Sequence, residues 1–135
     1  MSKIMSTSYS NAAFNTASFL LRVTMGLLMI PHGYSKLIRF ESLQHKFMNF
    51  LGLGSTLTLC LVIFAELICS ALLILGLVTR FAVIPLIIAM CVALFISHRG
   101  DFFGEGEKAA LFLAGYITIL LIGPGQASVD ALVKR

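Results

Sequence analysis

The sequence predicts an all-α membrane protein: an antiparallel bundle of four transmembrane helices, with an amphipathic interfacial helix between helices 1 and 2. Three observations carry that prediction. The chain of 135 residues is 59% hydrophobic and only 12% charged, against about 25% charged in a typical soluble domain. Its mean hydropathy is +0.97. Four apolar segments of about 15–23 residues, against the roughly 17–25 that cross a hydrocarbon core, take up most of the apolar content. These properties exclude a water-soluble enzyme, a disordered tail and a disulfide-stapled secreted domain. The length fits one domain, expected over residues 14–135 after a polar tail at 1–13.

The first span is predicted at about residues 14–33. It contains Arg22 and is followed by no clear small-residue cleavage site, so it reads as a retained helix rather than a cleaved signal peptide. In the connection that follows, Phe40, Leu43, Phe47, Phe50 and Leu51 recur at helical spacing opposite Glu41, Gln44, His45 and Lys46. That pattern predicts the amphipathic helix at the interface. A second span is expected at residues 55–77 and a third at 81–97. Only Val78-Thr79-Arg80 joins them, which forces an antiparallel hairpin. Pro85, one turn into the third span, suits a helix start, and Pro31 and Pro124 fall near span ends. The fourth span, residues 108–122, is short. Small residues such as Gly26, Gly33, Ala82, Ala89, Ala110 and Gly115 give the helices close-approach faces.

Ten Lys and Arg leave a formal charge of +4. They scatter over short polar segments, which fits anchoring at a membrane surface and argues against nucleic acid as a partner. The end holding both termini carries Lys3, Arg80, Lys134 and Arg135, while the other carries Lys36, Arg39, Lys46, Arg99 and Lys108. A difference of one cation is no basis for the positive-inside rule. The expectation carried forward is both termini in the cytoplasm, or else dual-topology insertion. Cys60, Cys69 and Cys91 form no CxxC pair. Cys60 and Cys69 lie about 13.5 Å apart along one predicted helix, too far for a disulfide.

Charges inside the membrane are the informative residues, because each costs about 2.5–3.5 kcal/mol at the bilayer centre. Arg22 falls near the middle of span one and Glu66 near the middle of span two, so the two are expected to pair. Such a pair serves either as a register-fixing ion pair or as a pocket wall and proton-transfer site. A second cluster gathers at the end away from the termini: His32, Lys36, His98, Arg99, Asp101, Glu105 and Glu107. It reads as a polar mouth over an apolar pocket or as ordinary headgroup-level residues. No HxxxH or ExxH spacing supports a metal site.

Leu21-Arg22 with Gly26 and Pro31-His32-Gly33-Tyr34-Ser35-Lys36 resembles the first-helix signature of the DoxX family. Glu66 followed by Leu75-Gly76-Leu77-Val78-Thr79-Arg80 resembles its second-helix ending, and residues 123–130 resemble its C-terminal GxG-x-x-S-x-D tail. The likeness spans about residues 17–131. Arg22, His32, Gly33, Lys36, Glu66, Gly76, Arg80 and Asp130 match the family's characteristic positions. The resemblance implies a four-helix protein of the bacterial inner membrane, linked to sulfur and thiol redox chemistry. Some relatives are implied to be small subunits of thiosulfate:quinone oxidoreductases, and others to assemble with soluble partners.

Three functions follow as expectations. The first is a redox subunit that binds a quinone in the bundle and takes electrons from a partner protein. Its candidate ligand-binding residues are Arg22, His32, Lys36, Glu66, His98 and Glu107. The second is a non-catalytic anchor or assembly factor for a soluble enzyme. The third is a small transporter, which needs a homo-oligomer to make room for a path.

Overall fold

The computed structural model describes residues 3–134, and among them every regular element is helical. The long helices are α1 (Asn11–Ile38), α3 (Ser55–Leu75), α4 (Thr79–Ser97) and α5 (Glu107–Ile122). Two short ones, α2 (Phe40–Leu43) and α6 (Val129–Val133), follow α1 and α5. With 28, 21 and 19 residues, α1, α3 and α4 are long and apolar enough to cross a membrane. The 16 residues of α5 fall short of that length.

Ser10 starts α1 by accepting the Ala13 N–H on its side chain at 3.0 Å. The helix then runs through Pro31 to Ile38, past the end expected at residue 33. Packing explains the extra turn. A Cβ at Gly33 would come within 3.0 Å of Leu67 and Glu66, and one at Gly26 would meet Ile74 and the Ser70 carbonyl. Glycines at these two places let α1 lie directly on α3, and the contact sustains the helix beyond its proline. Those contacts also fix the register: position 26 lies against 70–74 and position 33 against 66–67, so the two helices run antiparallel.

Helices α3 and α4 each change to π geometry, α3 in its middle at Phe64–Cys69 and α4 over its last turn at Val92–Ser97. The hairpin between them turns at Gly76, whose φ of 72° is left-handed and closes α3. Val78 follows with φ 44°, an unusual value for a β-branched residue.

The amphipathic helix expected over residues 40–51 is regular only at Phe40–Leu43. Hydrogen-bonded turns continue to Phe47. Beyond them Leu51, Gly52 and Gly54 all adopt positive φ. The Asn49 side chain accepts the Gly54 N–H at 2.7 Å and Thr58 accepts that of Phe50 at 3.2 Å. Side chains thus take the backbone donors that a longer helix would have used.

The shared core comprises Met29, Leu73, Val83, Leu86, Leu94, Tyr116 and Ile119. Leu27, Leu28, Phe81, Leu111 and Leu121 are exposed on the outside of the bundle, where hydrocarbon rather than water suits them.

Candidate functional site

Arg22 and Glu66 do not pair. In the α1–α3 register Arg22 is level with Ile74, a little over two turns of α3 beyond Glu66 and about 12 Å along its axis. Its guanidinium donates instead to backbone carbonyls: Nη1 to Pro124, and Nη2 to Ala127 at 2.8 Å and Ile74 at 3.5 Å. Arg22 is thereby 2% exposed and ties the segment after α5 to α1 and α3. A planar, multi-donor cation suits such a cage of acceptors. Beside it, Asp130 accepts the N–H groups of Val78 (2.7 Å) and Thr79 (2.9 Å), capping the start of α4 from the far end of the sequence. Burial alone would raise the Asp130 carboxyl. The hydrogen bonds from Thr79 and Val78 and the Arg22 charge outweigh it, and its pKa is lowered.

Glu66 pairs with Lys36, Nζ to Oε1 at 2.8 Å. The side chain of Glu66 is 5% exposed and that of Lys36 is 23%. Glu66 stands in the π segment of α3, a geometry that recurs at functional sites. The extra turn of α1 beyond Gly33 brings Lys36 over it. The pair opens on a cleft of about 290 Å³ between α1, α3, α4 and α5. Met29, Met90, Ala93 and Phe112 form its apolar walls, and His32, His98, Glu105 and Lys108 are its further polar groups.

His32 packs edge-on against Phe112, ring centroids 5.9 Å apart, and Phe112 stacks on Tyr116. Tyr116 is fully buried, and its hydroxyl has no hydrogen-bond partner among the described residues. At the rim, His98 Nδ1 lies 3.9 Å from a carboxylate oxygen of the exposed Glu105. Lys108 makes no salt bridge among the described residues. Among the described residues, no group of three His, Cys, Asp or Glu side chains is placed to hold a metal.

Four of the six expected ligand-binding residues therefore meet in one cleft: His32, Lys36, Glu66 and His98. Arg22 lies elsewhere. Glu107 is exposed in the first turn of α5 and does not line the cleft; its carboxylate faces the positive end of that helix instead. Lys108 takes its place. The signal for Lys108 was the spacing of Lys108, Phe112 and Tyr116 at i, i+4 and i+8, one face of a helix.

The DoxX family model matches residues 17–99 of this sequence. The chain belongs to the DoxX family. No curated protein or solved structure shows a significant match to it. The DoxX match contains α1, α3 and α4 and with them Arg22, His32, Lys36, Glu66 and His98. It ends before α5, so the wall carrying Lys108 and Phe112 lies outside it. So does the 123–130 tail that also resembles the family.

Proposed function

We propose that this DoxX-family protein is the quinone-binding membrane subunit of a redox system, receiving electrons from a partner protein. In this reading α5 joins the other long helices as a fourth span, residues 14–135 act as one domain, and the protein resides in the bacterial inner membrane with both termini cytoplasmic. The observation that carries the reading is the Lys36–Glu66 pair, its carboxylate buried and its ammonium partly exposed, in a cleft lined on other sides by Met29, Met90, Ala93 and Phe112. A quinone ring needs that combination of a flat apolar slot and a few convergent donors.

A bound quinone supplies the capacity to accept two electrons and two protons. The residues of this chain do the rest. Lys36, its ammonium fixed by Glu66, would donate a hydrogen bond to a ring oxygen. His32, steadied by Phe112, presents its ring to the same space. His32 would be placed to pass a proton to a ring oxygen, and Met29, Met90 and Phe112 would exclude water. None of the three cysteines forms a CxxC dithiol, so a partner protein provides the electrons.

The test is gentle purification, followed by mass spectrometry of co-purifying lipids and proteins, on wild type and Glu66→Gln. A stoichiometric quinone retained by wild type and lost from a folded Glu66→Gln supports the reading. A folded wild type without quinone and without quinone-dependent activity overturns it. A second reading, a non-catalytic anchor for a soluble enzyme, draws on Phe103, which stands almost fully exposed beside the cleft's rim. A stoichiometric partner without quinone favours that alternative.

A further inference from the structure

A second cavity adjoins the cleft. This groove of about 340 Å³ lies between α1 and α5 and is lined by Met25, Leu28, His32, Lys108, Leu111 and Phe112. Three of these residues, His32, Lys108 and Phe112, also line the polar cleft. Side chains alone therefore divide the two spaces. Leu28 and Leu111 are 57% and 67% exposed on the outer surface of the helices, so the groove opens sideways toward lipid. At its deep end Met25 packs against Gly115 and brings α1 and α5 together.

We propose that the ligand is a chain-bearing quinone that reaches the cleft laterally from the bilayer, its ring beside Lys36 and Glu66 and its isoprenoid chain in the α1–α5 groove. The inference rests on the quinone reading above and adds the ligand's shape and route. The polarity of the two spaces matches such a molecule: ionisable groups converge in the cleft, while beyond the shared His32 and Lys108 the groove is methionine, leucine and phenylalanine. His32 and Lys108 stand at the threshold, where the ring oxygens pass from lipid into the bundle. The thioethers of Met25 and Met29 flank it on the α1 side and adapt readily to an irregular chain. Lipid is as apolar as the groove, so the groove selects by fit rather than by the hydrophobic effect.

Two photoactivatable quinones test this on the full-length protein in quinone-free vesicles, one labelled on the ring and one at the chain. The expected result is ring labelling at His32 or Lys36 and chain labelling at Met25, Leu28 or Leu111. Ring labelling in the cleft with the chain elsewhere, for example at residues 98–106 at the mouth, overturns the lateral route and leaves the quinone reading intact. No ring labelling in the cleft overturns both. Leu28→Trp, which fills the groove from an exposed position, is expected to weaken the chain-bearing quinone relative to a chainless analogue by about tenfold. An unchanged ratio overturns the groove's role.

Discussion

Lys36 on α1 holds Glu66 on α3 at 2.8 Å, and the two ends of this bond are buried unequally. The carboxylate is almost enclosed, while the ammonium retains a path to water. Removing one partner of a buried pair costs about 3–5 kcal/mol because the other charge is left uncompensated. Lys36→Met is therefore expected to lower the melting temperature in detergent more than Glu66→Gln, which leaves a lysine free to solvate. The double variant should recover much of the loss. Equal losses from the two single variants would mean that the pair is already solvated.

Gly33→Ala tests how the pair is positioned. Alanine is intrinsically better than glycine inside a helix by about 1 kcal/mol. Here its methyl would lie 2.8 Å from Leu67 Cγ and 2.9 Å from Glu66 Cβ. Because the crowding includes the base of a packed side chain and the α3 backbone, the contact term should win. The expected outcome is a less stable protein that binds quinone more weakly, measured by thermal unfolding and ligand retention. A stabilised variant would show that α1 and α3 have room to separate.

Arg22→Lys keeps the charge but removes the planar fork that reaches Pro124, Ala127 and Ile74. A lysine cannot satisfy all three carbonyls from one point. Limited proteolysis should then cut at residues 123–130 much faster than in wild type, with quinone binding at the opposite end little changed. Parallel loss of both properties would contradict the separation of the two polar centres.

Asp130 gives a pH dependence of defined sign. Its carboxyl titrates lower in the folded protein than its ordinary value of 3.8. Its contribution is therefore complete above that value and disappears as pH falls through the lower folded pKa. Unfolding followed from pH 7 down to pH 3 should show wild type losing an increment that Asp130→Ala lacks throughout. The increment at neutral pH should be about 1 kcal/mol, as for other helix caps. A wild-type curve parallel to that of the variant would remove Asp130 as the cap.

The apolar segments were legible in the sequence because hydropathy alone marks them, and α3 and α4 begin and end within a few residues of their expected bounds. The end of α1 was not, since Pro31 is a local signal and the packing of Gly33 on Glu66 is not. The same cause misplaced Arg22 and Glu66. Both sit mid-span, but depth comes from the register of two helices, and close contacts at Gly26 and Gly33 set that register. Residues 40–51 have an amphipathic period, yet Asn49, Gly52 and Gly54 favour turns that periodicity does not detect. Within the site, topology correctly brought His32, Lys36 and His98 to one end. The choice between Glu107 and Lys108 depended on the rotation of α5, which one helix's sequence shows only through its apolar stripe.

The cage around Arg22 also has a consequence for how the protein is made. Synthesis runs from the N-terminus, so the guanidinium leaves the ribosome about a hundred residues before the Pro124 and Ala127 carbonyls that receive it. Until residues 124–130 are made, the first helix carries a cation that lacks two of its three acceptors, and the turn at Val78 lacks its Asp130 cap. Both are completed by the same short stretch, residues 124–130. A chain stopped before residue 124 would have its apolar helices but an arginine without two of its acceptors and a turn at Val78 without its cap.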